Sequence, residues 1–167
     1  VDSCAQHPQG GWEIAGTFQG TASIGGAQLV SSGNRDAYLA RLDENGNVLW
    51  AKRGGGGGID YGKNVGVDGA GNCYLFGVFT TSATFTGGGQ TLSATGTRFD
   101  IFVAKYSAGG DFQWARSGGG PDYDELYCAK VDAAGNAYVG GTFQNRMTWG
   151  SHTLNVVGTV SDSNNDA

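Results

Sequence analysis

DIFVAKYSAGGDFQWARSGGGPDYDELYCAKVDAAGNAYVGGTF, residues 100–143, lies over DAYLARLDENGNVLWAKRGGGGGIDYGKNVGVDGAGNCYLFGVF, residues 36–79, at a constant offset of 64 with no gap. Asp36 meets Asp100, Ala40 meets Ala104, Trp50 meets Trp114, Asp68 meets Asp132, Gly71 meets Gly135, Asn72 meets Asn136 and Tyr74 meets Tyr138. A Gly-[Thr/Val]-Phe mark closes each copy, ending at Phe79 and Phe143, and a third such mark ends at Phe18, 61 residues before Phe79. Periods of this length belong to blades or solenoid turns.

Each period reads as strands. Short runs of β-branched and aromatic residues alternate with Gly, Asn and Asp turn signals. Asp100 to Tyr106 turns through Ser107-Ala108-Gly109-Gly110-Asp111 into Phe112 to Ser117, as Asp43-Glu44-Asn45-Gly46-Asn47 leads into Val48 to Arg53. A second hairpin joins Lys63–Asp68 to Cys73–Phe79, and Tyr127–Asp132 to Ala137–Phe143. Gly71 and Gly135 stand where a left-handed turn residue is needed. A Thr/Ser/Gly-rich connection with Ala83–Phe85 and Thr91-Leu92 follows. No stretch keeps the i, i+3, i+4 apolar stripe of a helix. Four antiparallel strands per repeat predict an all-β protein built of β-propeller blades. Ile101-Phe102-Val103-Ala104, apolar at consecutive positions, suits a sheet packed on both faces. Trp50 and Trp114 are expected to fill equivalent gaps between blades.

The blade boundaries expected are 36–79 with a connection over 80–99, and 100–143 with a connection over 144–165. Residues 1–35 form a partial blade. Asn165-Asp166-Ala167 matches Arg35-Asp36-Ala37 and begins another unit. Val1-Asp2 is set against Val67-Asp68, which leaves five extra residues, including Cys4, His7 and Pro8, before the first Gly-Thr-Phe mark. A closed propeller needs about four to eight blades, so two full blades call for further blades of a longer chain, or other protein subunits, to cover the open edges.

Composition narrows the function. The 32 glycines show no three-residue period and prolines number only 2, which excludes collagen-like and Pro-rich readings. With 15 acidic against 10 basic residues and no Lys/Arg cluster, the chain offers no footprint for nucleic acid. No apolar run is long enough for a membrane helix. Cys4, Cys73 and Cys128 lack CxxC spacing, which excludes a zinc ribbon and allows at most one internal disulfide; buried or free thiols are expected.

Candidate chemistry is sparse. Gly57 to Asn64 almost spells a phosphate-binding loop, but a strand rather than a helix is expected after it, and Asn64 stands where a magnesium-binding hydroxyl belongs. Asp122, Asp124 and Glu125 form the densest acidic group, and Asp60 matches Asp124, so a calcium site before the third strand is a candidate. The acidic runs Asp43–Asn47 and Asp162–Asp166 read as turns. His7 and His152 sit in no nucleophile motif, and no Gly-x-Ser-x-Gly elbow occurs. Paired-carboxylate glycosidase chemistry would draw on acidic residues that recur in both copies, which points to structural duty. Tyr61, Tyr123 and Trp149 are candidate ligand-contacting aromatics on loops. No cofactor other than calcium is expected.

Asp100–Tyr106, Phe112–Arg116 and Val131–Val139 resemble SBBP repeats, a bacterial β-propeller repeat family, over nearly the whole chain. The resemblance implies a secreted or surface-exposed bacterial protein, often part of a long chain exported by the type IX route, without enzymatic activity. The expected role is a scaffold, adhesion or protein-interaction module. The alternatives are a glycan-binding, lectin-like propeller and a passenger or subunit held by an export or surface complex.

Overall fold

The computed structural model describes residues 1–157, which contain strands and no helix. None of the described residues forms a helix long and apolar enough to cross a membrane. The residues set against a further unit, 165–167, and the acidic run 162–166 lie outside the described part.

In chain order the strands pair as hairpins. The first joins β1 (Ser3–Gln6) to β2 (Trp12–Phe18), and the second joins β3 (Thr21–Ile24) to β4 (Ala27–Val30). Next come β5 (Asp36–Leu42) with β6 (Val48–Gly55), and β7 (Asp60–Val67) with β8 (Cys73–Phe79). A short pair, β9 (Ser82–Phe85) and β10 (Thr91–Ser93), precedes β11 (Asp100–Tyr106) with β12 (Phe112–Gly119). The last pairs are β13 (Asp124–Val131) with β14 (Ala137–Phe143), and β15 (Arg146–Trp149) with β16 (His152–Asn155). The glycine-rich segment before Asn64 therefore runs into strand β7, which removes the helix a phosphate-binding loop requires.

The architecture is all-β and propeller-like, with antiparallel sheets. The grouping of hairpins nevertheless departs from the expected blade boundaries. The two hairpins of 36–79 do not share a sheet: β5 pairs with β2, while β8 pairs with β11, so one sheet runs β1-β2-β5-β6-β9-β10 and the next β16-β15-β12-β11-β8-β7. The physical reason lies in the loop Gly56–Ile59, which steps from one sheet to the next and is held by Asp60 N donating to Arg35 O at 2.8 Å. Strand β8 then meets β11 in unbroken register, from Cys73 opposite Tyr106 to Phe79 opposite Asp100. The sequence period and the sheet period are equal in length and offset by one hairpin.

A second correction concerns the N-terminal segment. The turn His7-Pro8-Gln9-Gly10-Gly11 is the counterpart of Asp68-Gly69-Ala70-Gly71-Asn72 and of Asp132–Asn136, with no insertion. Gly10, Gly71 and Gly135 hold φ of 86°, 85° and 86°, a conformation that a Cβ would strain. Each of the three donates its N–H to the carbonyl of the first turn residue at 3.0 Å. Asp68 and Asp132 close their turns by accepting backbone N–H bonds at Oδ1, and His7 does the same at Nδ1 from Gln9. An imidazole replaces a carboxylate as the turn's acceptor, a substitution that spacing from Val1-Asp2 does not reveal.

The core follows the strand alternation. Phe102, Ala104 and Tyr106 point to one face of the second sheet, with Leu75 and Phe79, and pack there against Ala15, Ala37 and Leu39 of the first sheet. Ile101 and Val103 point to the other face with Tyr74, Phe76 and Val78, and meet Leu126 and Ala129 of β13. The second sheet is thus packed on both faces, as Ile101–Ala104 implies. Trp50 and Trp114 are half-buried and flank these two clusters in turn. Trp50 donates from Nε1 to Ala108 O in the leading turn of the next sheet at 3.2 Å, so it ties sheets together at their rim rather than filling the core.

Two pairs stand alone among the described residues, β3–β4 and β13–β14. Since β9 pairs with β6 and β15 with β12, β3 lacks a neighbour of the β6 kind. Since β2 pairs with β5 and β8 with β11, β14 lacks a neighbour of the β5 kind among the described residues. Every residue of β8 is buried, whereas no residue of its counterpart β14 is. The same substitution at repeat-equivalent sites should therefore differ in cost. Tyr74→Ala is expected to destabilise the chain by about 3 kcal/mol or more and Tyr138→Ala by less than about 1 kcal/mol. Urea unfolding followed by tryptophan fluorescence measures both.

Candidate functional site

The residues singled out from sequence scatter. Asp122 Oδ2 accepts from Asn145 Nδ2 at 2.7 Å, Asp124 Oδ2 caps its own loop by accepting from Gly120 N at 2.7 Å, and Glu125 pairs with Lys63. The three carboxylates turn to three separate partners and do not form the expected calcium site. Tyr61 and Tyr123 do converge, each packing on Phe99, with centroids 5.6 and 5.5 Å away. Arg35 lies over the Tyr61 ring and donates to its hydroxyl at 3.2 Å. Trp149 is elsewhere, covering Gly118 as Phe85 covers Gly54, which is a packing role. Cys4, Cys73 and Cys128 are free thiols, Cys73 buried and the other two exposed.

A repeated polar cluster emerges at the turn end of the strands. Asp68 ties down its turn through Asn72, receives the Tyr74 hydroxyl at Oδ2 at 3.1 Å, and is met by Lys105 Nζ of β11 at 3.4 Å. The Lys105 ammonium also sits 4.9 Å from the centre of the Tyr74 ring, close enough for attraction by the ring face. The Tyr74 hydroxyl reaches Gly135 O of the following turn at 3.2 Å, which locks consecutive sheets together. One unit on, Asp132, Asn136 and Tyr138 keep the same geometry, with the Tyr138 hydroxyl 3.1 Å from Asp132 Oδ2. Hydrogen bonds from the Asn136 amide and N–H hold the Asp132 carboxyl below its ordinary pKa. Among the described residues no cation occupies the place that Lys105 takes beside Asp68.

The first unit rewrites the same cluster. His7 stands for Asp68, Glu13 for Tyr74 and Arg41 for Lys105, while Cys73 of β8 stands where the last unit has Ala137. His7, Glu13 and Cys73 are all buried, with potential ligand atoms within 4.8 Å of one another. Hydrogen bonding argues against a metal centre. Gln9 N–H donates to Nδ1 at 3.1 Å, so the proton is on Nε2, which points at Gly71 O at 3.1 Å. Both imidazole nitrogens are used, Nδ1 in closing its own turn and Nε2 in holding that turn to the next. Burial lowers the His7 pKa against the opposing pull of the Gly71 bond, which favours the neutral ring. Sequence reading missed this cluster. The available signal was that its members all break the repeat.

Glu13 is fully buried, with Arg41 Nε 3.5 Å from Oε1 and no hydrogen bond to either oxygen. Desolvation pushes its pKa up to about 7, against smaller opposing effects of the Cys73 thiol and Arg41. Burial likewise raises the Cys73 thiol, so this sulfur is a packing group rather than a nucleophile. Asp60 is raised to about 7 and Asp124 to about 6, in both cases first by burial. No protein-family model matches the chain, and no curated protein matches it either.

These raised carboxyls set the sign of the pH dependence. The folded chain binds the Glu13 proton more tightly than the unfolded chain does. Its stabilising contribution is therefore full below about pH 4.5 and is lost as pH rises through about 7. Stability should fall between pH 5 and pH 8, and Glu13→Gln should remove a part of that fall on the order of 3 kcal/mol. Denaturation midpoints of the two proteins across this range provide the check.

Proposed function

We propose that the chain is a non-catalytic scaffold that engages protein by strand addition at β14. One observation carries this reading. The outer edge of β14, with Asp132 and Tyr138 beside it, repeats the surface onto which β8 receives β11 and Lys105. Such an edge offers main-chain hydrogen bonds for affinity and side-chain positions for selection. Here the selecting feature is an anionic, aromatic slot that fits a cation six positions into the incoming strand. The register of the earlier unit specifies the ligand: Asp opposite Phe143, and Lys or Arg beside Asp132. The ligand would be another leading hairpin of this pattern, from a further blade or from a protein subunit. The resemblance to SBBP repeats supports an extracellular or cell-surface setting in a bacterium, where adhesion, or carriage by an export complex, would use the same edge.

A second reading rests on Tyr61. It lines two open grooves of about 360 and 350 Å³, the first with Lys63, Leu126 and Tyr127 and the second with Phe18 and Arg35. An aromatic ring flanked by charged side chains suits a sugar, so glycan binding is the alternative.

A labelled Asp100–Gly119 peptide tests the leading proposal against the full chain by fluorescence anisotropy. Saturable binding is expected, retained by the Lys105→Arg peptide and weakened about tenfold or more by Lys105→Glu, as loss of about 1.4 kcal/mol would give. Absence of binding, or equal binding by all three peptides, contradicts it. Binding to a glycan array, with no response to the peptide, would favour the second reading.

A further inference from the structure

The two full repeats differ in charge at one partly buried position that faces buried carboxylates. In the first repeat, Asp36 and Asp60 both lie beside Gly55 where adjacent sheets meet, and Arg53 pairs with Asp36. Arg53 Nη1 lies 2.6 Å from Asp36 Oδ2 and also donates to Ser32 Oγ at 2.6 Å and Gly55 O at 3.3 Å, while Nη2 reaches Thr84 Oγ1 at 3.3 Å. Asp60 has both oxygens bonded, Oδ2 by Gly56 N and Oδ1 by Thr80 N.

One unit on, the oxygens remain and the cation is gone. Asp100 replaces Asp36, Asp124 replaces Asp60, Gly119 replaces Gly55 and Thr148 replaces Thr84, but Ser117 stands in place of Arg53. Asp100 and Asp124 are 2% and 0% exposed. Each uses one oxygen, Asp100 Oδ2 from Thr95 N at 2.9 Å and Asp124 Oδ2 from Gly120 N at 2.7 Å. The other oxygen of each, Oδ1, is buried without a hydrogen-bond partner. Among the described residues no Lys, Arg or His forms an ion pair with either, and residues 158–167 contain none of those three types. Asp36 Oδ1 is also without a partner, but the guanidinium beside it supplies the charge that the second site lacks. Burying carboxylates without a counter-charge costs several kcal/mol.

We propose that Asp100 and Asp124 hold a hard divalent cation, Ca²⁺, in the place that the Arg53 guanidinium takes in the preceding unit. Two carboxylates match its charge. Oxygen donors are what it selects, and Ser117 brings no guanidinium of the kind Arg53 brings one unit earlier. The site is distinct from the Asp122–Glu125 group, sharing only Asp124, and goes beyond the strand-addition reading, on which it does not depend.

Thermal melting of the full chain, stripped with EDTA and then titrated with CaCl₂, tests it, because a ligand bound only by the folded state raises the melting temperature. The melting temperature is expected to rise and saturate below ~10 mM, above the weakest extracellular calcium modules. Asp124→Asn should abolish the response. Ser117→Arg should abolish it too while raising the melting temperature in EDTA, since the arginine replaces the ion. Isothermal titration with CaCl₂ should show one site in the wild type and none in either variant. No calcium response in the wild type, as a proton shared between the carboxylates would give, overturns the proposal. So does a response that Asp124→Asn leaves intact.

Discussion

The pairing of β8 with β11 is the contact on which the rest of the structure depends. It joins the closing strand of one sequence repeat to the opening strand of the next, seven residues against seven without a bulge. Both faces of this pair are covered, so β8 and β11 bury their odd and even side chains alike. An error of one residue in this register would exchange Phe102 and Ala104 with Ile101 and Val103 between two differently shaped clusters. The aromatic group Phe79, Phe85 and Phe102, with centroids 5.3 to 6.2 Å apart, makes that exchange costly.

Because the pairing crosses repeats, a unit is not a closed object. Each inner hairpin depends on the leading hairpin of its successor, and each short hairpin depends on the leading hairpin that precedes it. Among the described residues, the two open positions, at β3 and at β14, therefore lack the same kind of element. The polar cluster at the turns adds selectivity to this arrangement. Apolar strands could slide, but a cation at the sixth position of the incoming strand finds its carboxylate and tyrosine ring in only one register.

Much of this was legible in the amino-acid sequence. The constant offset located every hairpin of the two full repeats, the turn glycines, and the two-sided burial of Ile101–Ala104. The grouping of hairpins into sheets was not legible. A repeat has the same period wherever its boundary is drawn, and strand pairing across Gly56–Ile59 depends on where a glycine-rich loop turns in space. The candidate site was legible only in part. Asp68, Asp132, Tyr74 and Tyr138 appear as repeat marks, while Lys105 and Arg41 look like ordinary strand residues until the fold sets them beside the turn. Tyr61 and Tyr123 meet, but only through Phe99, and Trp149 serves packing. The more informative residues proved to be those that depart from the repeat, namely His7, Glu13, Cys73 and Ser117. Their meaning depends on which neighbours the fold supplies.

Cross-strand nuclear Overhauser effects in the isotope-labelled chain test the central claim most directly. Contacts between Gly77 and Phe102, and between Ala15 and Leu39, are expected from the pairings across repeats. No continuous ladder should join Val48–Gly55 to Asp60–Val67. A ladder between those two segments would restore one blade to each sequence repeat and contradict the account.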